Sequence, residues 1–236
     1  GAGAAQFRGS FDAHLMLNYR PDYVPVKEYQ QLVAGSRARV ALVQAAQMAW
    51  MAPLKEPQMV FPVIDEASFA SRLSIAQRAA AVLEPKIQQL YDVLKQGERD
   101  RPKLTSPRWR AGYDLSLGHV LALKVRTETY NAILAKAKSG MAFQDPKNDT
   151  WILAPDNEIT VGSAWEKMSA EAHEILERVK REHPGTPWAA LADEELKQPL
   201  GWKWREAFTD VGQRRQRNRP RPPDMPRPVK RPPPKL

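Results

Sequence analysis

Apolar residues fall into register at Phe69, Leu73, Ala76, Ala80, Leu83, Ile87, Leu90 and Leu94, alternately four and three positions apart within residues 65–96. That spacing is an a/d seam and predicts a long amphipathic helix. Asp65 suits the N-cap and Gly97 the stop. Pro85 removes an intrahelical hydrogen bond and crowds the preceding turn, so a kink near Ala81 is expected. After the connector GERDRPKLTSP the pattern returns at Trp109, Tyr113, Ser116, Val120, Leu123, Thr127, Tyr130, Leu134 and Ala137. Ser106 and Pro107 open this second helix and Gly140 closes it. Two helices of about 30 residues, each about 45 Å long and joined by about ten residues, should pack as a long antiparallel hairpin.

Residues 1–25 are read as an extended N-terminal segment. Val26–Ala34 and residues 36–51 follow as two shorter helical pieces, bent at Gly35. The second piece lines up Val40, Val43, Ala46 and Trp50 and adds a third helix to a bundle spanning residues 26–140. The stretch LKEPQMVFPVID within it is an extended crossover.

Residues 141–210 change character. DPKND is turn chemistry, and it predicts a small β-hairpin between Ala142-Phe143 and residues 150–153, lying against the bundle because a two-stranded ribbon alone is marginal. Residues 163–183 carry Trp165, Met168, Ala172, Ile175, Leu176 and Val179 on one helical side. Pro184-Gly185 ends that helix, Thr186 caps the next, Pro187 takes its first position, and Trp188, Ala189, Ala192 and Leu196 face back, giving an αα-hairpin. The fold class expected is mainly α, with one bundle, one β-hairpin and this αα-hairpin.

Charge changes the picture at one end only. The net charge is +9, but residues 211–236 hold nine Lys or Arg against one acid, Asp224, so they carry +8 and the rest +1. The same stretch has eight of the 21 prolines and almost no apolar side chains. It cannot offset its ordering entropy by burial and is read as a disordered or polyproline-II arm. Arg214, Arg215, Arg217, Arg219, Arg221, Arg227, Lys230 and Arg231 are its candidate partner-binding residues. PRPP and PPDMP also resemble the ligands of proline-binding modules.

A hydrophobic content of 42% over the whole chain supports a real core. The longest uncharged run, residues 40–54, is shorter than the roughly 20 residues a bilayer span needs, so no transmembrane segment is expected. Cysteine is absent, which removes disulfides, thiolate nucleophiles and cysteine-metal sites. The chain starts at Gly1 rather than Met, as a trimmed or processed chain would, and localisation cannot be read from that end.

Candidate chemistry is sparse. Residues 145–156 place carboxylates at positions 1, 5 and 12 as a calcium loop does, but Lys147 stands at position 3 and Thr150 at position 6, where glycine is needed. His14, His119, His173 and His183 are scattered. His173 and Glu177 share a helical face without an obvious third ligand, so a solvated pair is the preferred reading. No G-x-S-x-G, H-E-x-x-H, Walker or G-x-G-x-x-G motif occurs. The chain is therefore read as a non-enzyme without cofactor or metal. A site assembled between the bundle and residues 143–153 would revive catalysis only with convergent carboxylates or histidines. Trp188, Trp202 and Trp204 cluster late in the folded part, where two readings stay open: a ligand or base-stacking groove, or a lock holding the last helix on the core. The lock is the commoner role.

The helix ending in HPGTPWAALADEEL is similar to the turn and following helix of tetratricopeptide-like repeats, although no second copy appears at a 34-residue period. More widely, FDAHLMLNYRPDY, YNAILAKAKSG, DPKNDTWIL and EHPGTPWAALADEELKQPLGWKW resemble the region after the von Willebrand factor A domain in certain bacterial proteins of unassigned function. That resemblance implies the C-terminal helical part of a longer polypeptide within a larger assembly, and leaves open whether a preceding domain carries the activity. The A domain's D-x-S-x-S motif is not matched, since DLSLG at residues 114–118 ends in Gly and falls in a predicted helix. The function expected is a helical scaffold or protein-interaction module whose arm docks an acidic or phosphate-bearing partner. The alternative is a nucleic-acid-binding protein using the same arm.

Overall fold

The computed structural model describes residues 11–49 and 57–212. Residues 213–236, which include all eight candidate arm cations, lie outside them, as does Trp50. The described residues are mainly helical, with one small antiparallel sheet. In chain order the elements are α1 (Ala13–Leu17), α2 (Val26–Ala34), α3 (Arg37–Ala49), β1 (Val60–Pro62), α4 (Glu66–Ala81), α5 (Glu84–Gln96), a 3-10 segment (Glu98–Lys103), α6 (Pro107–Ala137), β2 (Thr150–Asp156), α7 (Ser163–Glu182), α8 (Pro187–Leu196) and β3 (Gly201–Ala207).

The kink expected near Ala81 is a complete break. α4 ends at Ala81, Leu83 becomes the N-cap of α5, and Pro85 occupies the first turn of the new helix, where its missing N–H costs nothing. The seam survives the interruption: Phe69, Leu73, Ala76, Ile87 and Leu94 are buried. Asp65 caps α4 as expected, accepting from Ser68 N at 2.7 Å, and the Ser68 hydroxyl reaches back to complete a capping box.

α6 sits in the middle. α3, α4, α5, α7, α8 and β3 all contact it, so its buried residues run round most of its circumference and include Leu117, Leu121 and Val125 beside the predicted seam. A seam pattern anticipates one partner, and this helix has at least six among the described residues. Two glycines permit close approach between helices. A Cβ on Gly97 would lie 2.7 Å from Ala38 Cα and 2.9 Å from Tyr113 Cε2, and one on Gly118 would lie 2.9 Å from Leu176 Cδ2. The face that α3 buries is accordingly Ala38, Ala41 and Ala45, not the expected Val40, Val43 and Ala46. Small side chains win because the backbone of Gly97 is already against them.

The β-hairpin expectation needs correction. Residues 142–143 form no strand. The Phe143 ring stacks on Trp151 at 4.8 Å, and the DPKND turn closes with Asn148 N donating to Asp145 O. β2 is instead the middle strand of the order β1-β2-β3, with Phe61 opposite Trp151 and Leu153 opposite Trp204. The supposed crossover thus supplies β1, and GWKWREA supplies β3. Remote strands win because a three-stranded sheet on a helical floor buries Phe61, Trp151, Leu153 and Trp202, which a local two-stranded ribbon could not do. The N-terminal segment also differs from an extended chain over residues 13–17, where Asp12 caps α1 by accepting from His14 N.

Candidate interaction surface

The three tryptophans do not share a groove. Trp188, on α8, stacks on Tyr19 with ring centroids 5.3 Å apart and lies beneath the Arg108 guanidinium. Trp202 and Trp204, on β3, belong to the core of the sheet. Trp202 meets Tyr130 edge-on and donates from Nε1 to Arg126 O at 2.9 Å, while Trp204 packs edge-on against Phe61 and Trp151. Trp188 anchors the N-terminal segment; the other two fix β3 to α6 and β2.

The body has two buried carboxylates among its described residues, and both are closed by cations. Asp114, in the interior of α6, accepts from Arg101 Nε at 3.0 Å and from Arg178 Nη2 at 3.0 Å. Arg101 also reaches Glu182. Glu195, on α8, accepts from Arg126 Nη2 at 2.9 Å and lies 2.6 Å from His119 Nδ1. Burial works against its ionisation, but His119 and Arg126 prevail and hold its carboxyl at about 2. Asp114 is the first residue of DLSLG, and this bidentate clasp accounts for a charge in the middle of a buried helix.

His183 is 3% exposed, with Nδ1 3.0 Å from the Tyr19 hydroxyl and Nε2 without a partner among the described residues. Burial pushes its pKa below the ordinary histidine value, outweighing the attraction of Glu182 and Asp114 for a proton. The sequence treats His183 only as a helix end, and nothing in its spacing from Tyr19 announces the contact. His173 and Glu177 are both exposed, and Glu177 pairs with Lys180 at 3.6 Å. Among the described residues no three His, Asp or Glu gather where they could hold a metal ion. In the calcium-like stretch the acids serve the backbone: Asp145 accepts from Lys147 N and Asp156 from Glu158 N.

Asp149 has a different task. Its carboxylate accepts from Thr209 N and Val211 N, each at 2.8 Å, and from the Thr150 hydroxyl at 2.9 Å. Burial opposes ionisation, yet those donors lower its pKa. The clasp fixes the chain to the start of β2 just before the basic arm begins. No helix among the described residues is long and apolar enough to cross a membrane. Comparison with family models, curated proteins and solved structures finds no match to this chain.

Proposed function

We propose that the chain is a non-catalytic helical interaction module in which a rigid body sets geometry and the basic, proline-rich arm at residues 211–236 draws in an acidic partner. One observation carries the non-catalytic part. Both buried carboxylates, Asp114 and Glu195, are consumed by two cationic or imidazole partners each, which leaves them to hold helices together. A general acid or base needs a proton it can exchange with a substrate. In this reading the α7–α8 pair acts as a tetratricopeptide-like unit, with α6 taking the place of a stacked repeat. The arm supplies long-range attraction of modest specificity, and its root is held by Asp149.

The test separates a protein partner from nucleic acid. An acidic peptide and an oligonucleotide of equal charge are titrated into the full chain across a salt series. The reading expects tighter peptide binding at about 0.15 M salt. Tighter oligonucleotide binding that weakens steeply with salt would replace it with the nucleic-acid reading.

A further inference from the structure

β3 is an edge strand. It pairs with β2 on one side, and among the described residues no strand pairs with the other. Hydrogen-bond parity identifies the groups facing that open side. Leu153 N donates to Met59 O at 2.8 Å, so Trp151 and Leu153 direct their carbonyls and amides toward β1 along this register, while at the start of the strand Asp149 divides, its carbonyl accepting from Val63 N at 2.8 Å and its amide donating to Ala207 O at 3.1 Å. Thr150, Ile152 and Ala154 consequently face β3, opposite Ala207, Arg205 and Lys203. The backbone of Trp202, Trp204 and Glu206 therefore points to the open edge. Among the described residues, none of these backbone groups has a hydrogen bond outside the sheet.

A cleft of about 310 Å³ lies beside this edge, lined by Ile133, Lys136, Met141, Trp202, Lys203 and Trp204. Asp156 and Glu158 lie at its Gly201 end. Side chains alternate along β3: Trp202 and Trp204 turn toward the core, while Lys203 and Arg205 are exposed on the opposite face and have no ion-pair partner among the described residues.

We infer that the open edge of β3 is a docking groove for an extended, acidic segment of a partner protein, which joins the sheet as a fourth strand. The inference rests on the interaction-module reading and gives it a site. A strand laid against β3 sets every second side chain over Trp202 and Trp204 and the others beside Lys203 and Arg205. Apolar residues suit the first set and carboxylates the second. A second copy is a poor occupant, because antiparallel pairing of two β3 edges brings Lys203 and Arg205 against their own kind. The basic arm is a poor occupant too, since its charge is the same and its prolines lack the N–H a strand must donate.

The test uses the full chain and a capped peptide of about ten residues alternating Val and Glu. Directly opposite residues share a face, so the Val residues, not the Glu residues, exchange hydrogen bonds with Trp202, Trp204 and Glu206. N-methylation of the Val amides should weaken binding by about ten-fold or more, whereas N-methylation of the Glu amides should leave it nearly unchanged. Amide exchange at Trp202, Trp204 and Glu206 should slow when the unmodified peptide binds. The exposed double variant Lys203→Glu, Arg205→Glu should also bind about ten-fold more weakly without loss of helical signal. Peptide binding with no protection at these three amides, or equal loss from both methylated peptides, overturns the groove and leaves the interaction module standing. Protection of the same amides before peptide is added overturns it as well, because another segment or a second copy then occupies the edge. Failure of the unmodified peptide to bind overturns both readings.

Discussion

Tyr19 and His183 meet across 164 positions of sequence, hydroxyl to Nδ1, at 3.0 Å. The contact joins the N-terminal segment to the end of α7, and Arg108 strengthens it by donating to Tyr19 O at 3.2 Å. Burial favours the neutral imidazole in the folded chain. A histidine whose folded pKa is depressed stabilises the fold fully above the ordinary value near 6.5. That contribution is lost as pH falls through 6.5 toward the lower folded value. The chemical midpoint of unfolding should therefore drop between pH 7.5 and 5.5, and His183→Gln should flatten that slope. Equal slopes in the two proteins would show that His183 is not the group responsible.

Asp114→Asn should be among the most damaging single changes. The amide cannot neutralise Arg101 and Arg178, and breaking a buried charge cluster costs about 3–5 kcal/mol. Urea unfolding of the variant measures this directly, and a loss under about 1 kcal/mol would mean the arginines find water or Glu182 at little cost.

The glycines give a graded prediction. Gly97→Ala and Gly118→Ala force a Cβ to within 2.9 Å or less of neighbouring carbons and should each cost about 1–3 kcal/mol. Gly112→Ala meets nothing nearer than Leu42 Cδ2 at 3.4 Å, and it should be neutral or stabilising by up to about 1 kcal/mol through helix propensity. Thermal melts of the three variants check the order, which fails if Gly112→Ala is the worst.

Glu195 governs the acid limb. Its carboxyl is held at about 2, below its usual value of 4.5, so its stabilisation is complete above pH 4.5 and is lost as pH falls toward 2. Glu195→Gln should destabilise the chain by roughly 2 kcal/mol at pH 7, with the difference from the parent protein closing across that interval. A difference that stays constant down to pH 2 would contradict this.

The helices were legible because their signals are local. Asp65, Pro107, Thr186 and Pro187 stand at helix starts in both sequence and structure, and the α7 face from Ala172 to Val179 is buried as its spacing predicts. The sheet was not, because β2 chooses partners at residues 60–62 and 201–207 over its neighbour at 142–143, and no turn signal connects them. One cue was present: GWKWREA alternates aromatic and charged residues with period two, as a half-buried strand does. The buried face of α3 departs from the one its larger side chains suggest, because the close approach of Gly97 leaves room there only for alanines. The clasps on Asp114 and Asp149 and the Tyr19–His183 contact depend on residues brought together only by tertiary folding.

The most direct test of an arm-assisted docking module is fluorescence anisotropy of the Val/Glu peptide with the full chain and with a chain ending at Gly212, at about 0.15 M salt. Removing residues 213–236 should weaken binding by about ten-fold or more through loss of electrostatic attraction, while the helical signal stays unchanged. Equal affinity for the two chains would contradict the role assigned to the arm, and no binding by either would contradict the module itself.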